Sequence, residues 1–336
     1  MKNFDAQYND LPKVEIHCHL EGAIRTRTMI EVARSYHLNL PTFEVSELDK
    51  HVKVFDQMRD LQAVLEAFAI AQNSIASPQV VQRIAWEAFE DAARQNIKLF
   101  ELRFSPDWAF SVHNLDWDRA LEGILRSKER AEDEFDMTIG LIAITSRSLG
   151  VESCVRTVEW AIRWKEFILG IDLADSEAQH PIREFVAPVM KAREAGLKVT
   201  VHSGEDTPAS AVVDTIRTVH PDRIGHGIHI IEDPAAIELV KERGIPLEVS
   251  PWSNYLTNSV HRIEEHPLKK LFDLGVLVTI NSDDPEVLDT NLNNEYRIAH
   301  EILGMSLDEL KTCNRQAFDA SFIPVGTKQR IWDKYF

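Results

Sequence analysis

Two histidines near the start of the chain, His17 and His19, are the residues whose spacing first indicates chemistry. They are one residue apart in the run Lys13-Val-Glu-Ile-His-Cys-His-Leu-Glu-Gly22, which is typical of a strand. Side chains alternate between faces along a strand, so both imidazoles point to one side and Cys18 points to the other. Two neutral imidazoles on one face can bind a divalent transition metal, with Zn–N distances of about 2.0–2.1 Å. The pair is ambiguous by itself, because two histidines can equally be packed or solvated at a strand end.

Length and composition limit the class of protein. The chain has 336 residues, 44% hydrophobic and 27% charged, which is enough for one large barrel or two ordinary domains. Its polar start and the lack of any apolar run of about 18 residues predict neither a secretory signal nor a membrane-spanning helix. The three cysteines, Cys18, Cys154 and Cys313, form no Cys-x-x-Cys pair, which is typical of a reducing compartment. We therefore expect a cytoplasmic protein without a membrane partner.

The charge balance indicates the kind of ligand. The chain has 37 Lys and Arg residues against 54 Asp and Glu residues, a formal net charge of −17. Such a field repels phosphate backbones, so we expect no nucleic-acid partner. The sequence has neither the Gly-rich loop of nucleoside triphosphatases nor the Gly-x-Gly-x-x-Gly turn of dinucleotide-binding folds. A neutral or cationic small molecule is the expected ligand.

Short β-rich runs alternate with longer amphipathic stretches along the chain. Eight strand-like runs separated by helical ones predict a (β/α)8 TIM barrel of the α/β class, whereas a doubly wound sheet leaves this regular count unexplained. A helical insertion, residues 41–76, follows the first strand, and a helical tail runs from about Asn291 to Phe336. We predict a single domain, residues 1–336. The predicted strands begin near Lys13 and then cover 98–104, 137–145, 168–174, 197–202, 223–227, 245–249 and 276–280.

Residues able to bind metal or transfer protons follow several predicted strands. The carboxyl ends of TIM-barrel strands meet at one rim, where barrel enzymes place their chemistry. Three histidines and a carboxylate there would form a divalent-metal site with a position left for water, as hydrolysis requires. Each residue alone could be an interior histidine, a turn residue or a solvated carboxylate, but their joint placement favours a metal site. The candidates are His17, His19, His202, Glu205, His226, Asp283 and Asp284.

These candidates belong to a series of short motifs. The motifs are His17-Cys-His-Leu-Glu-Gly22, Glu101-Leu-Arg-Phe-Ser-Pro106, Gly170-Ile-Asp-Leu-Ala174, His202-Ser-Gly-Glu205, Arg223-Ile-Gly-His-Gly227, Ser250-Pro-Trp-Ser-Asn254 and Asn281-Ser-Asp-Asp-Pro285. The set resembles the adenosine deaminase family of metal-dependent amidohydrolases in content and order, from Lys13 to about Leu292. Adenine deaminases and aminodeoxyfutalosine deaminases share most of these motifs, so the set is specific to the family rather than to one substrate.

The resemblance implies a role for each candidate. One zinc ion per chain would be held by His17, His19, His202 and Asp283. Glu205 would donate a proton to N1 of the purine, His226 would orient the attacking water and help take its proton, and Asp284 would hydrogen-bond to N7. These roles are chemically consistent. Zinc lowers the pKa of bound water from about 15.7 to about 7, which supplies the nucleophile, and a buried carboxyl such as Glu205 can stay protonated as a proton donor.

Two other types of metal site, and a protein that binds metal without catalysis, are disfavoured. Binuclear hydrolases of this superfamily use a carboxylated lysine after strand four, but the chain has no lysine between Lys165 and Lys191, so one metal ion is expected. Deaminases of the cytidine type combine His-x-Glu with Pro-Cys-x-x-Cys, and His19-Leu-Glu21 matches only the first half. A zinc-binding barrel without turnover is disfavoured because Glu205 and His226 are both present.

Two positions depart from the common pattern of the family and bear on the substrate. Glu21 replaces an aspartate expected to contact the ribose hydroxyls, and Asp175 replaces a glycine whose backbone N–H binds N3 of the base. The run Pro251-Trp-Ser-Asn-Tyr-Leu-Thr257 is closer to adenosine than to adenine deaminases, so we expect a purine nucleoside, adenosine or 2′-deoxyadenosine. The alternative is adenine or a modified adenine nucleoside such as aminodeoxyfutalosine.

The insertion contains one apolar stripe. Leu61, Val64, Leu65 and Phe68 are spaced i, i+3, i+4 and i+7, which places them on one face of a helix. Such a stripe can simply pack on the barrel, but the resembled family covers its purine with a helix at the matching place. We therefore expect Leu61, Leu65 and Phe68 to form a hydrophobic gate that excludes water from the site. The sequence leaves the oligomeric state open.

Overall fold

Eight parallel strands pair in chain order and form the barrel. The computed structural model describes residues 6–65 and 68–336. The ring of strands nearly closes, because Cys18 forms a bridge with Asp283 and the Asp283 N–H donates to the His17 carbonyl at 3.0 Å. The predicted (β/α)8 fold is confirmed, and each predicted strand overlaps an observed one. The strands are β1 (Lys13–His19), β2 (Ile97–Phe104), β3 (Thr138–Ser146), β4 (Ile168–Ala174), β5 (Lys198–Ser203), β6 (Arg223–His226), β7 (Leu247–Val249) and β8 (Val278–Ile280).

Helices connect the strands and surround the barrel. Those that precede the tail are α1 (Ala6–Asp10), α2 (Thr26–Tyr36), α3 (Val45–Val52), α4 (Leu61–Leu65), α5 (Phe68–Asn73), α6 (Pro78–Arg94), α7 (Pro106–Ala109), α8 (Trp117–Phe135), α9 (Gly150–Arg163), α10 (Val186–Glu194), α11 (Ala209–Val219), α12 (Pro234–Arg243), α13 (Pro251–Leu256) and α14 (Leu268–Asp273). Their ends follow local rules: Ser77 accepts the Val80 N–H ahead of α6, and Gly244, at φ 61°, ends α12. Across the described ranges, no helix combines the length and apolar character needed to cross a bilayer.

The insertion after β1 is helical but not continuous. It contains the three short helices α3, α4 and α5, where the spacing of apolar residues suggested a longer helical stretch. Between α3 and α4 the Val54 N–H donates to the Val287 carbonyl at 2.7 Å, and the Met58 N–H donates to the Leu256 carbonyl at 2.8 Å. These N–H groups bind loops of the barrel and so cannot continue a helix. The insertion is thereby anchored over the carboxyl-end rim.

The last helices of the C-terminal tail pack against the amino-terminal end of the barrel. It comprises α15 (Leu292–Arg297), a π-helical turn (Ile298–Ile302), α16 (Leu307–Ala320) and α17 (Val325–Tyr335). Asn314 on α16 accepts the Val14 N–H at 2.8 Å and donates to the Pro12 carbonyl at 2.9 Å. Arg223, the first residue of β6, donates to the Ala320 carbonyl at 3.1 Å. These contacts tie α16 to the starts of β1 and β6, away from the rim that carries the candidate site.

A ladder of buried charges occupies the barrel interior. Arg103 donates to Asp172 at 2.7 Å and to Glu248 at 2.8 Å. Arg223 pairs with the other oxygen of Glu248 and donates to Glu101 at 2.7 Å. All five side chains are fully buried, so each charge needs its partner, because an unpaired charge in this interior costs several kcal/mol. The ladder fixes two carboxylates, Asp172 and Glu248, directly beneath the rim.

Candidate active site and metal centre

The predicted metal-binding residues come together at the carboxyl-end rim. His17 and His19 have their Nε2 atoms 3.3 Å apart, and each Nε2 lies 3.2 Å from Asp283 Oδ1. Ligand atoms about 2.0–2.2 Å from one tetrahedral ion lie about 3.3–3.6 Å from one another. The ring of His202, at the end of β5, lies beside them with its centroid 4.7 Å from that of His17. The spacing of His17, His19 and Asp283, with His202 beside them, therefore fits a divalent metal ion.

Buried carboxylates orient two of these imidazoles. His17 Nδ1 lies 2.8 Å from Glu248, and His202 Nδ1 lies 3.0 Å from Asp172. Arg103 holds both carboxylates from the barrel interior. A carboxylate on Nδ1 leaves Nε2 free for a metal, an arrangement common around metal-bound histidines. The roles of Arg103 and Glu248 were not predicted from the sequence, although a charged residue inside an apolar strand is a signal of such a role.

His226 lies against the same group of atoms. Another group of four side chains is also spaced closely enough to bind one metal ion. Each offers one ligand atom, and these atoms all lie within 4.8 Å of one another. The four are His17, His202, His226 and Asp283. His226 Nε2 is 3.8 Å from Asp283 Oδ2 and 3.5 Å from Glu205 Oε2, whereas His19 approaches Asp283 Oδ1 at 3.2 Å. The shorter contact to the shared oxygen favours His19 as the metal ligand. His226 is left facing Glu205.

The carboxyl groups of this site differ in protonation. Burial, together with the negative charge of Asp283, raises the pKa of both Glu205 and Asp284 well above the usual range. Burial by itself would raise the pKa of Asp283 as well. The interactions of Asp283 with His17 and the other imidazoles have a larger effect, and they hold its pKa well below the usual range. Two adjacent aspartates are therefore in opposite states, one a carboxylate and the other a proton donor.

The predicted substrate-binding residues line one cavity of about 270 Å³ beside the metal group. They are Glu21, Leu61, Leu65, Phe68, Asp175 and Asp284. Glu21 Oε1 accepts the Ser105 N–H at 2.7 Å, its buried Oε2 has no hydrogen-bond partner in the described structure, and burial raises the pKa of Glu21 to about 7. Asp175, at φ 74°, accepts hydrogen bonds from the hydroxyls of Ser148 and Ser176. These serines were not among the residues predicted from the sequence.

An apolar cluster borders the cavity through Val64 and Phe68. Its buried members are Val54, Val64, Phe68, Leu256, Val287 and Leu288. Leu61 and Leu65 are half-buried and border the cavity itself. The apolar stripe of the insertion thus contacts both the cavity and the barrel loops. Residues 66 and 67, between α4 and α5, lie outside the described residues.

A (β/α)8 barrel with a His and Asp metal group beside a protonated carboxyl defines a hydrolase of the amidohydrolase type. The adenosine deaminase family model matches residues 12–335, and the chain belongs to this family. The adenosine deaminase of Erwinia tasmaniensis is 33% identical over 323 residues, which cover 96% of this chain and 97% of that protein. The family resemblance is confirmed, and the chain is an aminohydrolase-type enzyme.

Solved structures agree with this placement. The adenine deaminase of Arthrobacter aurescens superimposes with a TM-score of 0.90 at 25% identity, over 97% of this chain and 98% of that one. An amidohydrolase of Burkholderia ambifaria with bound Zn superimposes with a TM-score of 0.88 at 25% identity, over 98% of this chain and 91% of that one. The N6-methyl-AMP deaminase of Arabidopsis thaliana superimposes with a TM-score of 0.84 at 26% identity, over 98% of this chain and 97% of that one. Deaminases with different purine substrates therefore share this fold.

Proposed function

We propose that the protein catalyses zinc-dependent hydrolytic deamination of adenosine or 2′-deoxyadenosine, giving inosine or 2′-deoxyinosine and ammonia. The observation that carries this proposal is Asp283 Oδ1, which lies 3.2 Å from Nε2 of both His17 and His19, beside the buried Glu205. We assign His17, His19, His202 and Asp283 as the ligands of one zinc ion. When bound, zinc would act as a Lewis acid that makes water nucleophilic at neutral pH. We place the reaction in the cytoplasm, since the three cysteines are free and buried.

Glu205 and Asp284 supply the proposed contacts to the purine ring. Because its pKa is raised, Glu205 carries a proton that it can give to N1 as C6 becomes tetrahedral. Asp284 is protonated for the same reason and can donate a hydrogen bond to N7. His226 faces Glu205 across 3.5 Å, so both side chains reach the place where the 6-amino group and the attacking oxygen would meet.

The cavity suits a nucleoside better than a nucleotide. Among the described residues that line it there is no lysine or arginine, and the chain carries a net charge of −17. A phosphate group would meet Glu21 and Asp175 without a strong cation to neutralise it. The volume of about 270 Å³ is near the lower end of small-molecule sites, about 300 Å³, as a compact ligand requires.

Adenine or a modified adenine nucleoside is the second candidate. Glu21 presents a buried oxygen with no partner in the described structure, and Asp175 presents a carboxylate held by serines. Both groups stand where the family pattern expects contacts to ribose and to N3. An adenine deaminase also shares the fold closely.

A substrate panel tests the proposal. Zinc-loaded protein would be assayed with adenosine, 2′-deoxyadenosine, adenine, AMP and aminodeoxyfutalosine, with ammonia release and the purine absorbance change as readouts. We expect the highest kcat/KM for adenosine or 2′-deoxyadenosine and a value at least about 100-fold lower for AMP. Higher kcat/KM for adenine or aminodeoxyfutalosine would establish the second candidate. Inertness toward the whole panel would overturn the assignment as a purine deaminase.

A further inference from the structure

A chain of buried hydrogen bonds runs from His226 to the start of α14. Asn254 Nδ2 lies 3.1 Å from His226 Nδ1, and Asn254 Oδ1 lies 3.2 Å from His266 Nε2. The Leu268 N–H donates to His266 Nδ1 at 3.2 Å. Asn254 is fully buried, and His226 and His266 are 1% and 4% exposed. Buried polar groups need hydrogen-bond partners, so each of these contacts must pair one donor with one acceptor.

The Leu268 N–H sets the direction of every bond in this chain. A backbone N–H can only donate, so His266 Nδ1 accepts and the neutral ring carries its proton on Nε2. Burial lowers the pKa of His266 to about 3, so this ring is neutral at physiological pH. Its Nε2–H donates to Asn254 Oδ1, which turns the amide nitrogen of Asn254 toward His226. The opposite amide orientation would set two donors against each other at His266.

The same rule then fixes the proton of His226. The Asn254 amide nitrogen can only donate, so His226 Nδ1 is an acceptor and the ring proton lies on Nε2. His226 Nε2 faces oxygens of Glu205 and Asp283 at 3.5 and 3.8 Å. An N–H directed at these oxygens is favourable, whereas a lone pair directed at the Asp283 carboxylate would be repelled.

We propose that Asn254 and His266 are positioning residues that hold His226 in the Nε2–H tautomer, so that His226 presents a hydrogen-bond donor rather than a base to the reacting oxygen. The catalytic meaning of this inference rests on the proposed deamination, whereas the tautomer itself does not. His226 then orients the attacking water through a hydrogen bond and stabilises negative charge on its oxygen. It does not take the proton of that water, because its Nε2 already carries one.

The proton of the attacking water therefore goes to another group. Glu205 gives its proton to N1 while the oxygen bonds to C6, and this leaves a carboxylate 3.5 Å from His226. That carboxylate accepts the proton released from the attacking oxygen and can pass it to the leaving ammonia. The second proton of that oxygen goes to Glu205 as the C–N bond breaks and the C6 carbonyl forms, so Glu205 is protonated again at the end and the transfers balance.

Nitrogen-15 NMR of the histidine side chains tests the tautomer directly. In the wild-type protein we expect His226, assigned by the signals lost in His226→Gln, to have a protonated Nε2 and an unprotonated Nδ1. In Asn254→Asp a carboxylate replaces the donor, so Nδ1 should become protonated. In Asn254→Ala the tautomer is no longer fixed, and we expect kcat for adenosine to fall about 10-fold or more with zinc content and KM little changed.

Asn314→Ala is the matched control for truncation of a buried asparagine. The Asn314 side chain likewise accepts one hydrogen bond and donates one, in its case to backbone groups at the opposite end of the barrel, so its loss should leave the His226 spectrum and kcat unchanged. A wild-type His226 protonated on Nδ1 alone would overturn the inference even if adenosine is deaminated. The expected tautomer in a protein that deaminates nothing would overturn only the proposed function. If Asn254→Asp does not fold, the spectra of the wild type and of His266→Ala still test the inference. In His266→Ala the amide of Asn254 is no longer held in one orientation, so His226 should become a mixture of the two tautomers.

Discussion

The Glu177 carboxylate accepts the backbone N–H of Glu205 at 2.7 Å, so one buried carboxylate positions the backbone of another. The same group accepts the N–H of Gly204 at 2.9 Å and that of Asp206 at 3.0 Å. Three consecutive N–H groups at the end of β5 thus share one acceptor side chain from the loop after β4. This bonding sets the direction in which the Glu205 side chain leaves the rim.

We predict that Glu177→Gln lowers kcat for adenosine by about 10–100-fold while zinc content and KM stay nearly constant. The amide replaces one acceptor oxygen with a donor, so at least one of the three N–H groups loses its partner and Glu205 shifts. Steady-state kinetics and zinc analysis would measure this. Glu132→Gln is the control, because Glu132 accepts the Ile139 N–H at 2.8 Å far from the site and should affect stability alone. An unchanged kcat in Glu177→Gln would mean that other contacts hold Glu205.

We predict that Asp283→Ala loses both bound zinc and activity. The variant removes one of four proposed ligands and leaves three neutral imidazoles to hold a dication without charge compensation. Metal content after dialysis is the measurement. Glu205→Gln is the comparison, since it should keep zinc but lose most turnover because an amide cannot deliver the proton to N1. Stoichiometric zinc in Asp283→Ala would show that the ligand assignment is wrong.

Gly22→Ala should weaken substrate binding through Asp284. A Cβ at Gly22 would lie 2.0 Å from Asp284 Oδ1, so the aspartate would have to move away from its place in the cavity. Loss of its hydrogen bond to N7 should raise KM for adenosine about 3–30-fold with zinc retained. The control is Gly326→Ala in α17, where an added Cβ meets nothing within 4 Å. Unchanged kinetics in Gly22→Ala would remove Asp284 from the substrate contacts.

Leu61→Ala distinguishes a gate from a core residue. Leu61 is half-buried and borders the cavity, so we expect KM for adenosine to rise several-fold with little loss of Tm. A core leucine would instead cost about 2–5 kcal/mol of stability. Val64→Ala is the internal comparison, because Val64 is 3% exposed within the apolar cluster and should lower Tm. A destabilised Leu61→Ala with unchanged KM would make this helix part of the scaffold.

Glu295 should make stability depend on pH. It is buried, it accepts the Trp252 N–H at 2.9 Å and the Thr290 hydroxyl at 2.6 Å, and burial raises its pKa from 4.5 to about 8. Its contribution to stability is therefore complete below about pH 4.5 and is lost as the pH rises through about 8. Glu295→Gln, which mimics the protonated acid, should gain stability relative to the wild type over that range, by up to a few kcal/mol. Denaturant titrations at several pH values would measure this, and a pH-independent difference would contradict it.

The sequence alone was sufficient for the strands and for the residues at their ends. His17 and His19 share a face because side chains alternate along any strand, and each β–helix unit is built from contacts close in the chain. Once eight such units were counted, barrel geometry brought His202, His226 and Asp283 to the same rim. Local periodicity was less reliable in the insertion, where Val54 and Met58 donate their N–H groups to barrel loops instead of to a helix.

Only the tertiary structure decided how those side chains are held. Glu177 and Glu205 are 28 residues apart, and Arg103 and Glu248 are 145 apart. The hydrogen bonds from Leu268 through His266 and Asn254 to His226 connect α14, the loop before it, α13 and β6. No spacing in the sequence predicts such pairs, because a hydrogen bond depends on distance and direction to within a few tenths of an ångström. Those distances are set by the register and closure of the whole barrel. The sequence therefore determined which groups meet at the rim, and the closed barrel determined which atom of each group donates, accepts or keeps its charge.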